Sequence, residues 1–166
     1  MRLKLIMIGP KGAGKTQISN FLTGQTEGLV TERYEPTAGV RILENELNNG
    51  NLQIELWDAS GDHKYEACWK AIMHEADGVI LVYNPDAPGQ DQQLNDWFEF
   101  FVKKNGLRDD QCLIFAHRVN PTNERFRPPQ LFSRVAATVT GLNNLPDMKG
   151  MYENFIKEVS SYKNRK

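Results

Sequence analysis

The run Gly9-Pro10-Lys11-Gly12-Ala13-Gly14-Lys15-Thr16 fits the pattern G-x-x-x-x-G-K-[ST]. Small residues at these positions let successive backbone N–H groups curl around a phosphate, and a helix starting at the end of the run adds the positive end of its dipole. In this arrangement Lys15 reaches the β- and γ-phosphates, and the Thr16 hydroxyl binds Mg²⁺. Gly9, Lys11, Gly12, Ala13, Gly14, Lys15 and Thr16 are the candidate phosphate-binding residues. A plain glycine turn between strand and helix is the competing reading, but every position and both flanks agree with the fuller pattern.

Two weaker signals follow in an informative order. Trp57-Asp58-Ala59-Ser60-Gly61 closes an apolar run. There a carboxylate can hold a water of the Mg²⁺ shell, and the Gly61 N–H can meet a γ-phosphate. Alone, an Asp-Gly turn after a strand would account for it; its place after the phosphate loop favours the metal. Between the two lies Glu35-Pro36-Thr37-Ala38-Gly39-Val40, where Thr37 in a loop can swing onto Mg²⁺ when a γ-phosphate is present. The candidate metal ligands are Thr16, Thr37 and Asp58.

The elements that must position these groups read as an α/β alternation. Leu3 to Gly9 is a buried strand, and Ile18, Phe21 and Leu22 have helical spacing that ends near Gly24. Residues 25–39 read as a loop. Gly39 to Leu47 and Leu52 to Trp57 flank the turn-rich Asn48-Asn49-Gly50-Asn51 and form an antiparallel hairpin. Tyr65, Cys68, Trp69 and Ile72 mark a helix, and Gly78 to Tyr83 is an apolar run typical of a central parallel strand. Leu94, Trp97, Phe98 and Phe101 predict a long amphipathic helix and Cys112 to Ala116 another buried strand. Pro121, Pro128 and Pro129 interrupt the stretch where the next helix is due, so that helix is shortened or missing. Arg134 to Thr140 predicts a last strand. Met148, Met151, Tyr152, Phe155, Ile156 and Val159 lay an apolar stripe along a closing helix.

Composition limits the function classes. The 166 residues suit one domain spanning 1–166. With 40% apolar and 25% charged residues, disorder is excluded as the main reading. Lys+Arg at 20 against Asp+Glu at 21 leaves no basic excess to hold nucleic acid or anionic lipid. Cys68 and Cys112 lie in apolar or amphipathic runs, as expected of buried thiols in a reducing, cytoplasmic setting. No run approaches the ~20 apolar residues of a membrane helix. The opening apolar run is too short for a signal peptide, and position 2 and the C-terminal residues offer no lipid anchor.

The order of phosphate loop, Thr37 and Asp58-x-x-Gly61 resembles the Ras-like small GTPase superfamily over most of the chain, closest to Rab-like and Arf-like members. A finer likeness lies in Pro36-Thr37-Ala38-Gly39-Val40-Arg41-Ile42-Leu43-Glu44, in Glu55-Leu56-Trp57-Asp58-Ala59-Ser60-Gly61-Asp62 and in Glu66-Ala67-Cys68-Trp69. These segments resemble the family of Rab-like subunits of the intraflagellar transport B complex. The resemblance implies a three-layer phosphate-loop small-GTPase fold, with a mostly parallel six-stranded sheet and one antiparallel edge strand. It implies GTP or GDP with Mg²⁺, a place in the cilium or flagellum and its base, and docking on the coiled-coil heterodimer of the B core. It also implies a protein with no direct membrane anchor, monomeric outside the complex.

The sequence departs from an ordinary GTPase at three places. Asp62 stands where a glutamine usually orients the attacking water; a shorter, anionic side chain there repels charge developing on the γ-phosphate, so hydrolysis is expected to be slow or absent, with no confident catalytic residue. Lys11 replaces a small residue and either lies over the phosphates or points to solvent. The usual base motif N-K-x-D is replaced by His117-Arg118-Val119-Asn120. His117, Arg118 and Asn120 are the candidate base contacts, with Asn120 able to hydrogen-bond and Arg118 to stack, but the segment can equally be a strand end. A Ser-Ala-Lys base loop is not evident near Ala136 to Gly141.

Trp57, Tyr65 and Trp69 are candidates either for a partner surface or for packing on the sheet. Two other function classes remain open. A pseudo-GTPase scaffold that assembles regardless of nucleotide is favoured by the broken base motif. A small nucleotide kinase would need a clamp of arginines, for which only Arg125 and Arg127 offer themselves.

Overall fold

The computed structural model describes residues 1–29, 37–47, 50–118, 132 and 134–165. Its centre is a six-stranded sheet in the order β2-β3-β1-β4-β5-β6. The strands are β1 (Arg2–Ile8), β2 (Val40–Leu47), β3 (Leu52–Ala59), β4 (Gly78–Tyr83), β5 (Cys112–His117) and β6 (Ala136–Thr140). Only β2, at one edge, runs antiparallel to its neighbour; the other pairings are parallel. This is the α/β sheet expected from the sequence.

Alternation along β1 sends side chains to two cores. Leu3, Leu5 and Met7 pack with Ile18 and Leu22 of α1 (Lys15–Leu22) and with Met148, Tyr152, Phe155 and Ile156 of α4 (Leu145–Asn164). Ile6 and Ile8 face the other way, toward Trp69 and Ile72 of α2 (Glu66–Met73) and Leu94 and Trp97 of α3 (Gln90–Phe98). Burying both faces of a parallel sheet under helices explains why β4 and β5 read as unbroken apolar runs. After Phe98, α3 continues as a π-helical turn, Glu99–Lys103, which carries Phe101 and Val102 into the core.

Two expectations need adjusting. The last strand starts at Ala136 rather than Arg134, which stands in a turn. Cys68 is exposed, because α2 turns Trp69, Ile72 and Met73 to the sheet and leaves Cys68 on the outer face; Cys112 is buried as expected. Of the two readings of Trp69, packing on the sheet is the one realised: it lies in the core, in tilted contact with Trp97 at 5.0 Å and Phe101 at 5.4 Å between ring centroids. The proline-interrupted stretch at Pro121 to Pro129, Arg125 and Arg127 within it, and Asn48-Asn49 of the hairpin turn lie outside the described residues.

Candidate functional site

Parallel strands end at the same edge, so the loops after β1 and β3 meet there. The chain leaves β1 at Ile8, runs through the glycine loop and enters α1 at Lys15. Gly14 immediately precedes that helix with φ of 95°, a left-handed conformation that side chains rarely adopt. A Cβ there would also lie 2.7 Å from the His117 ring, so glycine is required twice over. Ala13 is buried and its N–H donates to Pro10 O at 3.3 Å, closing the turn.

Lys15, Lys11, Gly12, Gly14, Thr16 and Gly61 line one cavity together with Thr37, Gln17 and Ser60. The Lys15 ammonium donates to Gly9 O at 3.0 Å and to Pro10 O at 2.7 Å. Burial lowers its pKa to about 8, against the pull of the Asp58 charge, which raises it. An ammonium that has already lost its water has little hydration left to give up to a phosphate, so the loop favours anion binding.

The three predicted metal ligands converge. Thr16 Oγ1 donates to Asp58 Oδ2 at 2.9 Å and lies 2.7 Å from Thr37 Oγ1. Asp58 is fully buried, and desolvation raises its pKa while hydrogen bonds from Thr16 and Arg41 pull it down. Its second oxygen, Oδ1, is buried with no hydrogen-bond partner. An unpartnered buried carboxylate oxygen is costly unless something else satisfies it. Two hydroxyls and a carboxylate are the hard oxygen donors Mg²⁺ takes, with phosphates and waters completing the shell. Among the described residues no group of three or more His, Cys, Asp or Glu side chains could hold a metal by itself. The residues present therefore fit a Mg²⁺ shared with a nucleotide.

Gly61 presses against the phosphate loop. A Cβ on it would fall 2.0 Å from Gly9 O and 2.9 Å from Lys11 N. Asp62 follows at once, and its Oδ2 accepts from the Lys11 ammonium at 3.3 Å. Its other oxygen accepts the Lys64 backbone N–H at 3.1 Å, capping a 3-10 turn at His63–Tyr65 that leads into α2. That N–H is the main reason the Asp62 carboxyl sits below its usual pKa, with Lys11 adding to it.

Arg41 has no assigned role in the sequence reading, yet it belongs to the site. Its guanidinium donates to Asp58 Oδ2 from Nε at 3.3 Å and Nη2 at 3.1 Å, and Nη2 also donates to Asn20 Oδ1 at 2.9 Å. The hairpin contained the signal: pairing Leu47 with Leu52 puts Arg41 opposite Asp58. Ser60 likewise has no role legible in the sequence; its hydroxyl accepts from Asp62 N–H at 3.2 Å, and its carbonyl accepts from Trp69 Nε1 at 3.3 Å.

At the base end, His117 closes β5 and is buried, with Nδ1 3.0 Å from Thr140 Oγ1 on β6. Burial lowers its pKa, which favours the neutral ring. Wedged between Gly14 and Thr140, it ties the phosphate loop to β6 rather than standing open for a base. The Arg118 guanidinium pairs with Asp86, Nε to Oδ1 3.4 Å, and its N–H donates to Thr140 O at 2.8 Å. Asn144 accepts from Gly141 N–H at 2.8 Å and donates to Val139 O, fixing the turn after β6 where base-facing backbone is expected. Asn120 lies outside the described residues.

Residues 4–120 match the family model for the Ras of Complex, Roc, domain of DAPkinase. The intraflagellar transport protein 22 homolog of Danio rerio is 38% identical over 165 residues, which cover 95% of this chain and 84% of that protein. Among solved structures, the GTP-bound T. brucei IFT22/74/81 crystal structure matches with a TM-score of 0.82 at 27% identity, covering 99% of this chain and 98% of that one. The GDP-bound T. brucei IFT22 crystal structure matches with a TM-score of 0.71 at 26% identity, covering 95% and 97%.

Proposed function

This chain belongs to the intraflagellar transport protein 22 family of Ras-like GTPase domains, and we propose on that premise that residues 1–166 act as one domain, the GTP- and GDP-binding Rab-like subunit of an intraflagellar transport B complex. The observation that carries the reading is that Lys15, Thr16 and Thr37 line one cavity while Asp58, buried behind it, accepts from the Thr16 hydroxyl and keeps Oδ1 without a hydrogen-bond partner, open to a metal-bound water. Backbone N–H groups of Gly12 to Thr16 hold the phosphates, Lys15 supplies the fixed cation, and Thr16, Thr37 and Asp58 orient the metal shell. Bound Mg²⁺ neutralises phosphate charge. Gly61 meets the γ-phosphate end.

Hydrolysis is a minor part of this function. Asp62 is held by Lys11 and the Lys64 N–H, and its short anionic side chain repels charge developing on the γ-phosphate. Relatives bearing the name intraflagellar transport protein 22, and the T. brucei IFT22/74/81 assembly, support a role in the cilium or flagellum and its base. We extend this to docking on the corresponding coiled-coil heterodimer, with the protein monomeric until it docks.

The test is a titration of nucleotide-stripped protein with fluorescent GTP, GDP, ATP and XTP in Mg²⁺, with Lys15→Ala as control. Guanine nucleotides binding well above ATP, and lost in the control, support the proposal; equal affinity for every base refutes guanine selectivity. A second reading, a scaffold indifferent to nucleotide, is favoured by the burial of His117 where a base contact usually stands. Capture of the heterodimer by Lys15→Ala as efficiently as by wild type would select it.

A further inference from the structure

The two departures flanking the γ-phosphate position, Lys11 in the phosphate loop and Asp62 after Gly61, are one ion pair, Lys11 Nζ to Asp62 Oδ2 at 3.3 Å. Lys11 lines the phosphate cavity, and Gly61 is packed so tightly on the backbone of Gly9 and Lys11 that Asp62 is held at its rim. Asp62 cannot swing far, because its second oxygen caps the turn into α2 and its N–H donates to Ser60. A carboxylate fixed beside the γ-phosphate repels a triphosphate more than a diphosphate, whose charge ends one phosphate further away. A lysine cation at the same rim does the reverse.

Building on the GTP-site reading above, we infer that Lys11 and Asp62 form a charge-compensated pair that sets the preference of the site for GTP over GDP. Lys11, with the Lys64 ammonium 3.8 Å from the same oxygen as a second, longer contact, neutralises Asp62 and makes an acidic residue tolerable at the γ-phosphate end. Asp62 in turn keeps Lys11 from binding the γ-phosphate outright, so the two nucleotides are held more evenly than either residue alone would allow. The pair also joins the phosphate loop to the first turn before α2, so the same contact senses the terminal phosphate and steadies that segment.

The experiment measures Kd for GTP and for GDP in Mg²⁺ on wild type, Lys11→Met, Asp62→Asn and the double variant, with thermal melts to establish that each is folded. Asp62→Asn is expected to raise the GTP-over-GDP preference about three- to fivefold, and Lys11→Met to lower it about as much, the scale of an exposed ion pair. The double variant is expected to return near the wild-type ratio, as opposed charges of similar weight require, and the contact itself is read from the unfolding of the four nucleotide-free proteins in urea, where the two single losses are expected to exceed the loss in the double variant. A charge-swapped Lys11→Glu/Asp62→Lys protein that restores the wild-type ratio adds support. Ratios insensitive to all these changes, or losses that simply add in the unfolding cycle, overturn the pair while leaving the GTP site standing. Wild type binding neither nucleotide overturns both.

Discussion

Arg41 and Asp58 face each other across the β2–β3 ladder, and the Arg41 guanidinium donates twice to the one Asp58 oxygen that also accepts from Thr16. The arrangement divides the carboxylate. Oδ2 is committed to protein donors, and Oδ1 is buried with no hydrogen-bond partner, as the proposed metal shell requires.

Removing the guanidinium leaves a fully buried carboxylate with Thr16 as its main donor. Arg41→Ala is therefore expected to lower stability by about 1–3 kcal/mol. Saturating Mg²⁺·GTP is expected to recover part of that loss, since a divalent cation then shares the charge. Urea unfolding of both proteins with and without nucleotide checks this; equal losses under the two conditions would count against a shared role at Asp58.

Lys15 gives a pH dependence with a definite sign. Its pKa is about 8 in the folded protein against 10.5 for a free lysine. Between those values the unfolded chain holds the extra proton, so this residue makes stability rise with pH across that window. Lys15→Met lacks the ionisable group, and the difference in unfolding free energy between wild type and variant is expected to change in that direction from pH 8 to 10.

His117 acts at the acidic end. Its pKa is lowered from 6.5 by burial, so below about 6.5 the unfolded state takes a proton that the folded state resists, and stability falls with decreasing pH. His117→Asn offers Thr140 a polar partner without the titrating ring. Its unfolding midpoint is expected to decline less than that of wild type between pH 7 and 5, as followed by circular dichroism.

Gly61 lies where its own Cβ would collide with a carbonyl oxygen rather than a yielding side chain. Gly61→Ala must push the segment off the phosphate loop, at a cost of about 1–3 kcal/mol. GTP affinity is expected to drop more than GDP affinity. Equal losses for both nucleotides, measured by calorimetry, would mean that Gly61 does not serve the γ-phosphate end.

Asp62, held by Lys11 and the Lys64 N–H, is a poor water-orienting group. Single-turnover hydrolysis by the wild type is expected to be slower than the roughly 4 × 10⁻⁴ s⁻¹ of a small GTPase that keeps its glutamine, and Asp62→Gln to raise it. A wild-type rate in the range of an activated GTPase would contradict that assignment.

Local signals carried much of this protein. The phosphate loop is legible because its chemistry is made by consecutive residues, and the strands because burial on both faces leaves apolar runs such as Gly78–Tyr83. The order of Thr37 and Asp58 relative to that loop pointed to their meeting with Thr16, which the hydrogen bonds among the three show. Residues whose roles depend on faces and partners were harder to read. Cys68 shares an amphipathic run with Trp69, but the rotation of α2 decides which is buried. The start of β6 was set by pairing with β5, where Leu113 meets Ala136, and not by the apolar pattern of Arg134 to Thr140.

The sequence by itself determined the α/β class, the phosphate loop with Lys15 and Thr16, and the loss of the usual base motif, because helix and strand periodicity and glycine chemistry are local properties. Only the tertiary structure decided that Arg41 pairs with Asp58, that His117 is a wedge between Gly14 and Thr140, and that Lys11 and Asp62 are one contact instead of two separate anomalies. Each of those is a meeting of side chains from different loops or strands, brought within a few ångströms by parallel strands that end at a common edge. Charge and burial at such a meeting depend on both partners and are not encoded in the neighbourhood of either one.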